Sequence, residues 1–220
     1  MSIAQETADE SNTGRIEAFS DGVFAVAITL LVLDIHVPTE QAINSANGLW
    51  SALLLAWPNY LAYVISFGII LVMWSAHHAI FGMVRRVDQG LLLLNGLLLM
   101  MIVLVPFPTA LVSAQIRGTQ SSAAVAVAVY GGLSTLVAVF YNVLWWYASR
   151  HPALIYRDRM AQYNRGVIRR YAAGPLCYLA GTLLAFVSIP TSIIIFMVMT
   201  IFYALPNTRP SKGSGEIATK

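Results

Sequence analysis

RIEAFSDGVFAVAITLLVLDIHV, residues 15–37, opens on a polar cluster of Arg15, Glu17, Ser20 and Asp21 and then carries no charge until Asp34. At about 1.5 Å of rise per residue, the uncharged interval covers most of a ~30 Å hydrocarbon layer. The stretch reads as a membrane-spanning helix with a carboxylate near each end, Asp21 and Asp34. Its faces differ. Ala18, Gly22, Ala25 and Thr29 form a stripe of small residues at helical spacing. Such stripes let helix backbones approach closely in lipid, where apolar burial supplies no drive. Beside it, Val26, Leu30, Leu33 and Val37 recur at i, i+4, i+7 and i+11. In an ordinary span that second stripe faces lipid or a neighbouring helix. It equally suits a narrow apolar throat made with copies of itself around a symmetry axis. Spacing alone leaves both open.

Composition agrees with a membrane setting. Of 220 residues, 58% are hydrophobic and 10% charged, against roughly 25% charged in soluble domains. The net charge is only +3, and the basic residues lie in short polar segments between apolar runs, which gives no case for nucleic-acid binding. The single cysteine, Cys177, excludes an internal disulfide and a cysteine zinc cluster. It reads as a small buried residue. A phosphate-cradling glycine loop, a nucleophile elbow and a zinc-protease helix are all missing. Neither an enzyme nor a bound cofactor is expected.

Further apolar runs are expected to span at about 49–77, 91–112, 123–147, 171–187 and 191–205. Trp50 and Trp57 mark an interface at the start of the second. Pro58 is expected to kink that span, and Pro106 and Pro108 to bend or end the third. Ala124, Ala128, Gly131, Gly132 and Ser134 suit the fourth to tight packing. Residues 1–14 and 207–220 are expected as disordered cytosolic tails flanking a six-helix domain over 15–206. With the N-terminus in the cytosol, Arg15, Arg85, Arg86, Arg150, Arg157, Arg159, Arg165, Arg169, Arg170, Arg209, Lys212 and Lys220 all lie on the cytosolic side. Arg117 alone lies outside. That bias places both termini inside and requires an even number of spans. The expected fold is therefore an all-α membrane protein with six transmembrane helices per subunit and cytosolic N- and C-termini. The first three spans do not resemble the last three, which weighs against an inverted-repeat transporter.

Arg15, Phe19, Ser20 and Asp21 stand as R-x-x-x-F-S-D, followed by Ala25 and Thr29. This resembles the first-helix signature of the bacterial relatives of the endolysosomal potassium channel, the transmembrane protein 175 family. The resemblance is close over about twenty residues; beyond them only helix count and length agree. It implies a single six-helix unit per subunit and a homotetramer in the bacterial inner membrane. It also implies a pore lined by the first helix and passing potassium in preference to sodium. By position after the F-S-D triplet, the constriction it implies is Val26, Leu30 and Leu33. The potassium-filter pentapeptide of other channels is absent, so no separate pore-loop filter is expected. A ring of aliphatic side chains can gate by dewetting, with opening expected to rotate or tilt the first helix. The partners implied are potassium ions, membrane lipid and further copies of the chain. No metal is implied beyond the permeating cation.

The polar residues have both plain and sharper readings. Asp21 either snorkels to water or, with Ser20, joins a polar knot behind the first helix. A carboxylate near a span end is costly unless paired or wet. Groups at the same expected depth are Trp74, His77 and His78 at the end of the second span and Asn95 at the start of the third. His77 and His78 are adjacent and point about 100° apart on a helix, which suits structural bonding or proton sensing rather than one shared metal. A proton-coupled carrier or proton channel using Asp21, His77 and His78 is the alternative function. Asp34 either is a solvated carboxylate or forms, in a tetramer, an acidic ring at the outer mouth. Thr29 is expected to bond back to the carbonyl of Ala25 or to assist an ion at the constriction.

Overall fold

The computed structural model describes residues 3–156 and 165–205, with side chains over 12–156 and 172–205. The remaining residues include the expected C-terminal tail, and Arg157 and Arg159 of the arginine-rich segment. Those expectations lie outside the described residues, as do any concerning the side chains of Arg165, Arg169 and Arg170.

The described residues are helical throughout, joined by short turns. Helix α1 covers Ile3–Leu30 and tightens into a 3₁₀ turn over Leu31–Asp34. Its helical backbone thus runs on through most of the stretch expected as an N-terminal tail. Two short helices follow, α2 at Glu40–Ser45 and α3 at Leu49–Leu55. Helix α4 then spans Trp57–Phe81. The second apolar run is therefore two helices rather than one kinked helix. The chain breaks at Ala56, and Pro58 falls in the first turn of α4, where its missing N–H leaves no bond unmade.

Helix α5, Gln89–Val103, is capped by the Asp88 carboxylate, which accepts from Leu91 N at 2.8 Å. Pro106 cannot donate to the preceding turn. The helix stops there and restarts as α6, Pro106–Gln115. Thr119 caps α7, Gln120–Arg150, by accepting from Ser122 N at 3.2 Å. Helices α8, Arg165–Leu184, and α9, Ile189–Ala204, close the bundle.

Among the described residues, four stretches are long and apolar enough to cross a membrane: Asn12–Asp34, Trp57–Phe81, Gln89–Gln115 and Gln120–Arg150. Two shorter apolar helices, Ala172–Leu184 and Ile189–Ala204, accompany them.

The core runs from Phe24, Ala27 and Leu31 of α1 through Ile70, Leu98 and Ile102 to Leu144. Helix α7 packs against α5, α6 and α8, while α1 rests chiefly on α4 and α5. The α7–α8–α9 junction is tight because a Cβ on Gly131 would overlap Thr182 and Phe196. Gly132, by contrast, faces open space. At one end of the bundle Thr13 Oγ1 donates to the Arg85 carbonyl at 3.3 Å. There the 83–86 loop also pairs with 154–156 through Arg85 N to Leu154 O, 2.7 Å, and Tyr156 N to Met83 O, 2.9 Å. Tyr147 donates to Asp88 at 2.8 Å across the same end.

Candidate functional site

Helix α1 has one buried face, made by Ser20, Phe24, Ala27 and Leu31 at i, i+4, i+7 and i+11. On an ideal wheel at 100° per residue, the small-residue stripe lies roughly opposite that face. Ala18, Gly22, Ala25 and Thr29 are accordingly all exposed in the single chain. The Val26 stripe lies about 120° from the buried face, and it too is open. Val26 is 53% exposed, Leu30 37% and Leu33 66%. Of its apolar window α1 buries 22%, whereas α4 and α7 each bury 44%. The two stripes that stand out in the sequence are thus the two with no partner inside the chain.

Behind α1 lies a line of hydrogen bonds. Ser20 Oγ donates to the Ile16 carbonyl at 2.8 Å. With its proton spent, Ser20 accepts from Asn95 Nδ2 at 3.1 Å. The Asn95 Oδ1 oxygen can only accept, so His77 Nε2 is the donor across their 2.9 Å contact. All three side chains are buried, Ser20 completely. His77 is sealed by two rings, with Phe81 stacked at 4.3 Å and Phe24 edge-on at 5.4 Å. A second tether lies nearer the surface, where Trp74 Nε1 donates to Asp21 Oδ1 at 2.8 Å. His78 stacks on that indole at 5.8 Å.

Ser20, Asp21, Trp74, His77 and Asn95 are therefore brought together, with His78 beside them. They split into two separate tethers, Asp21–Trp74 and Ser20–Asn95–His77. Each fixes α1 to a neighbour, α4 directly or α5 in line with α4. An indole N–H donates but does not accept, so no hydrogen-bonded path links Asp21 to either histidine through Trp74. Phe24 and Phe81 are functional neighbours that the sequence reading overlooked. Their signal was spacing, because each lies four residues beyond a knot residue, Ser20 or His77.

Other signature residues stand apart. Arg15 and Phe19 are exposed on the same side as the Val26 stripe. Thr29 Oγ1 bonds back to Val26 O at 2.9 Å rather than to Ala25. At the far end of α1, the Asp34 carbonyl accepts from Asn59 Nδ2 at 3.2 Å and contacts His36 Nδ1 at 3.0 Å. The Asp34 Oδ2 oxygen is buried without a hydrogen-bond partner in the single chain. Among the described residues no three His, Cys, Asp or Glu side chains gather where they could hold a metal.

Several apolar helices, with the least buried of the long ones tethered by polar side chains, define a multi-pass helical membrane protein. Residues 15–106 match the family described as the endosomal/lysosomal potassium channel TMEM175. A protein of Chamaesiphon minutus described as a potassium channel is 44% identical over 200 residues, which is 91% of this chain and 97% of that one. The chain belongs to the TMEM175 family. A Streptomyces collinus protein, also described as a potassium channel, is 42% identical over 88% of this chain and 92% of its own. Human TMEM175, described as an endosomal/lysosomal proton channel, is 33% identical over 79% of this chain but only 35% of its own length. The crystal structure of the Chamaesiphon minutus homologue, described as a lysosomal potassium-selective channel TMEM175 homolog, superposes with a TM-score of 0.77. That match covers 88% of this chain and 97% of that one.

Proposed function

We propose that this chain is the subunit of a homotetrameric, potassium-permeable channel of the bacterial inner membrane. Six spans cross the bilayer with both termini in the cytosol. The first helix of each subunit lines the pore. Val26, Leu30 and Leu33 form its constriction, and Asp34 forms an acidic ring at the outer mouth. The observation that carries this reading is the open Val26 stripe on the least buried of the described long apolar helices, which is tethered from behind. A helix held on a single face, with a bulky aliphatic stripe left uncovered, suits a rotational ring of copies. Near-full-length relatives described as potassium channels support the same reading.

Ions are excluded when aliphatic side chains meet and the throat dewets, and they pass when the ring widens and water enters. The arginine-rich segment and Arg85 and Arg86 set orientation by the positive-inside rule. The decisive measurement is potassium-gradient flux into liposomes holding the purified protein, with sodium as control. Leu30→Ala is expected to raise flux or lower the preference for potassium. Unchanged flux and preference at Val26, Leu30 and Leu33 alike would remove the pore assignment.

The description of the human relative favours proton conduction as a second reading. A relay through Asp21, His77 and His78 would have to cross gaps that hydrogen bonds do not bridge, with His77 sealed between Phe24 and Phe81. Proton-driven dye quenching that survives in His77→Phe would discard that relay while leaving a water-filled pore as the proton path.

A further inference from the structure

A cavity of about 110 Å³ lies between the start of α4 and helices α6, α7 and α9. Its walls are apolar, including Leu61, Ala62, Val112 and Phe196, and half-exposed Trp57 stands at its mouth with the Arg117 guanidinium 5.4 Å over the indole. Space of this order admits a molecule about the size of benzene. Four hydroxyls also line it: Ser66, Thr109, Ser113 and Tyr130.

The direction of each hydroxyl bond follows by elimination. Thr109 Oγ1 donates to the Val105 carbonyl at 2.8 Å, which leaves it no proton for Ser66. Ser66 therefore donates to Thr109 across their 2.8 Å contact. Ser66 then has no proton for Tyr130, so the phenol donates to Ser66 at 3.3 Å. Ser113 Oγ separately donates to the Ala110 carbonyl at 2.8 Å. Every hydroxyl lining the cavity thus spends its proton inside the protein. What the cluster retains is acceptor capacity, chiefly on the Tyr130 oxygen at the head of the chain. Ser66 and Thr109 are 1% exposed and Tyr130 8%, so this capacity faces no bulk water.

We infer that this cavity is a binding site for a small, largely apolar molecule carrying a single hydrogen-bond donor, a phenol or monohydric alcohol, whose O–H is received by the Tyr130 oxygen. The size limits the ligand to about one ring. The lining rewards apolar contact, and the spent protons reject a pure acceptor such as an ether or ketone. The site is distinct from the pore stripe and does not depend on what the pore conducts.

The test is ¹⁹F NMR titration of the purified full-length protein in detergent with 4-fluorophenol and with 4-fluoroanisole, the same ring with the donor methylated. An apolar hole without an acceptor would prefer the ether, because burying an unpaired hydroxyl is unfavourable. The expected order is the reverse, with the phenol binding saturably and about tenfold more tightly than the ether, the worth of one buried hydrogen bond. Ala62→Phe should fill the space and abolish binding. Tyr130→Phe should bring the two ligands to within about twofold of each other. Equal or inverted affinities in the unmodified protein would overturn the proposal without any variant. So would non-saturable partitioning of both ligands, the mark of detergent or lipid uptake alone.

Discussion

Replacing Asn95 with Leu probes the tether of α1 most directly. Asn95 is 2% exposed and makes two bonds of opposite sense, giving Nδ2–H to Ser20 at 3.1 Å and taking His77 Nε2–H at 2.9 Å. Leucine fills a similar volume but removes both. Ser20 is left an unused acceptor, a small loss because its own proton still reaches Ile16 O. The histidine is left a buried donor enclosed by Phe24 and Phe81, which is the larger cost. An orphaned buried donor is worth about 1–3 kcal/mol, and the total for Asn95→Leu is expected near 2 kcal/mol.

The reasoning is tested by repeating the change in a His77→Phe background, where no donor remains to be orphaned and the stack on Phe81 can persist. The cost of Asn95→Leu should then fall by about 1 kcal/mol, within the ~0.6–1.7 kcal/mol that double-mutant cycles find for side-chain bonds in membranes. Reversible unfolding in mixed micelles, followed by circular dichroism for the four proteins of the cycle, reads this coupling. A coupling under about 0.3 kcal/mol, the scatter of independent sites, would mean that His77 and Asn95 do not depend on one another.

Two further contrasts separate packing from function. Gly131→Ala is expected to destabilise the bundle by about 1–3 kcal/mol by overpacking, since its Cβ would overlap Thr182 and Phe196. The neighbouring Gly132→Ala, facing open space, should be neutral or stabilise by up to about 1 kcal/mol through helix propensity. The same unfolding titration distinguishes them. Leu31→Ala should cost about 1–3 kcal/mol and leave potassium selectivity alone, because Leu31 is fully buried. That cost sits below the soluble-core range because lipid, not water, is the reference for the removed atoms. Leu33→Ala, at a residue 66% exposed, should barely move stability and should change flux in liposomes.

The legible part of this chain was the part governed by hydropathy and by local chemistry. Runs without charge located every long apolar helix among the described residues, and Ser20 and Asp21 marked the polar end at which α1 meets Asn95 and Trp74. Helix ends were less legible. The second apolar run looked continuous because Leu49 to Phe81 holds no charge. Its break at Ala56 follows from Pro58 preferring a first turn to an interior one. Gly131 and Gly132 are indistinguishable in sequence, since which of two adjacent glycines faces a neighbour is a matter of helix rotation set by tertiary contacts. The Ser20–Phe24–Ala27–Leu31 face was overlooked for a related reason. In an all-apolar helix every face satisfies the same periodicity, and only partners on α4 and α5 decide which one is buried.

The tethers also constrain how α1 could move. Exchanging the Val26 stripe for the Ala18 stripe around a central axis requires a turn of about 80° by the helical wheel. At a Cα radius near 2.3 Å, that displaces the backbone by ~3 Å before side chains are counted. Bonds of 2.8 Å from Trp74 to Asp21 and 3.1 Å from Asn95 to Ser20 cannot survive it, nor can the 3.2 Å bond from Asn59 to the Asp34 carbonyl at the other end. A turn of α1 by itself would therefore sever its anchors at both ends and leave the Asn95 amide N–H without its Ser20 acceptor in the core. Tilting α1 together with α4 and α5 breaks none of them, and it carries the exposed stripes relative to a neighbouring copy. Widening of the proposed throat is thus expected as a motion of that three-helix unit. A reducible bis-methanethiosulfonate cross-link, long enough to replace the indole and carboxylate, joining α1 to α4 through Asp21→Cys and Trp74→Cys should leave potassium flux intact, whereas flux restored only on reduction would show that α1 turns alone.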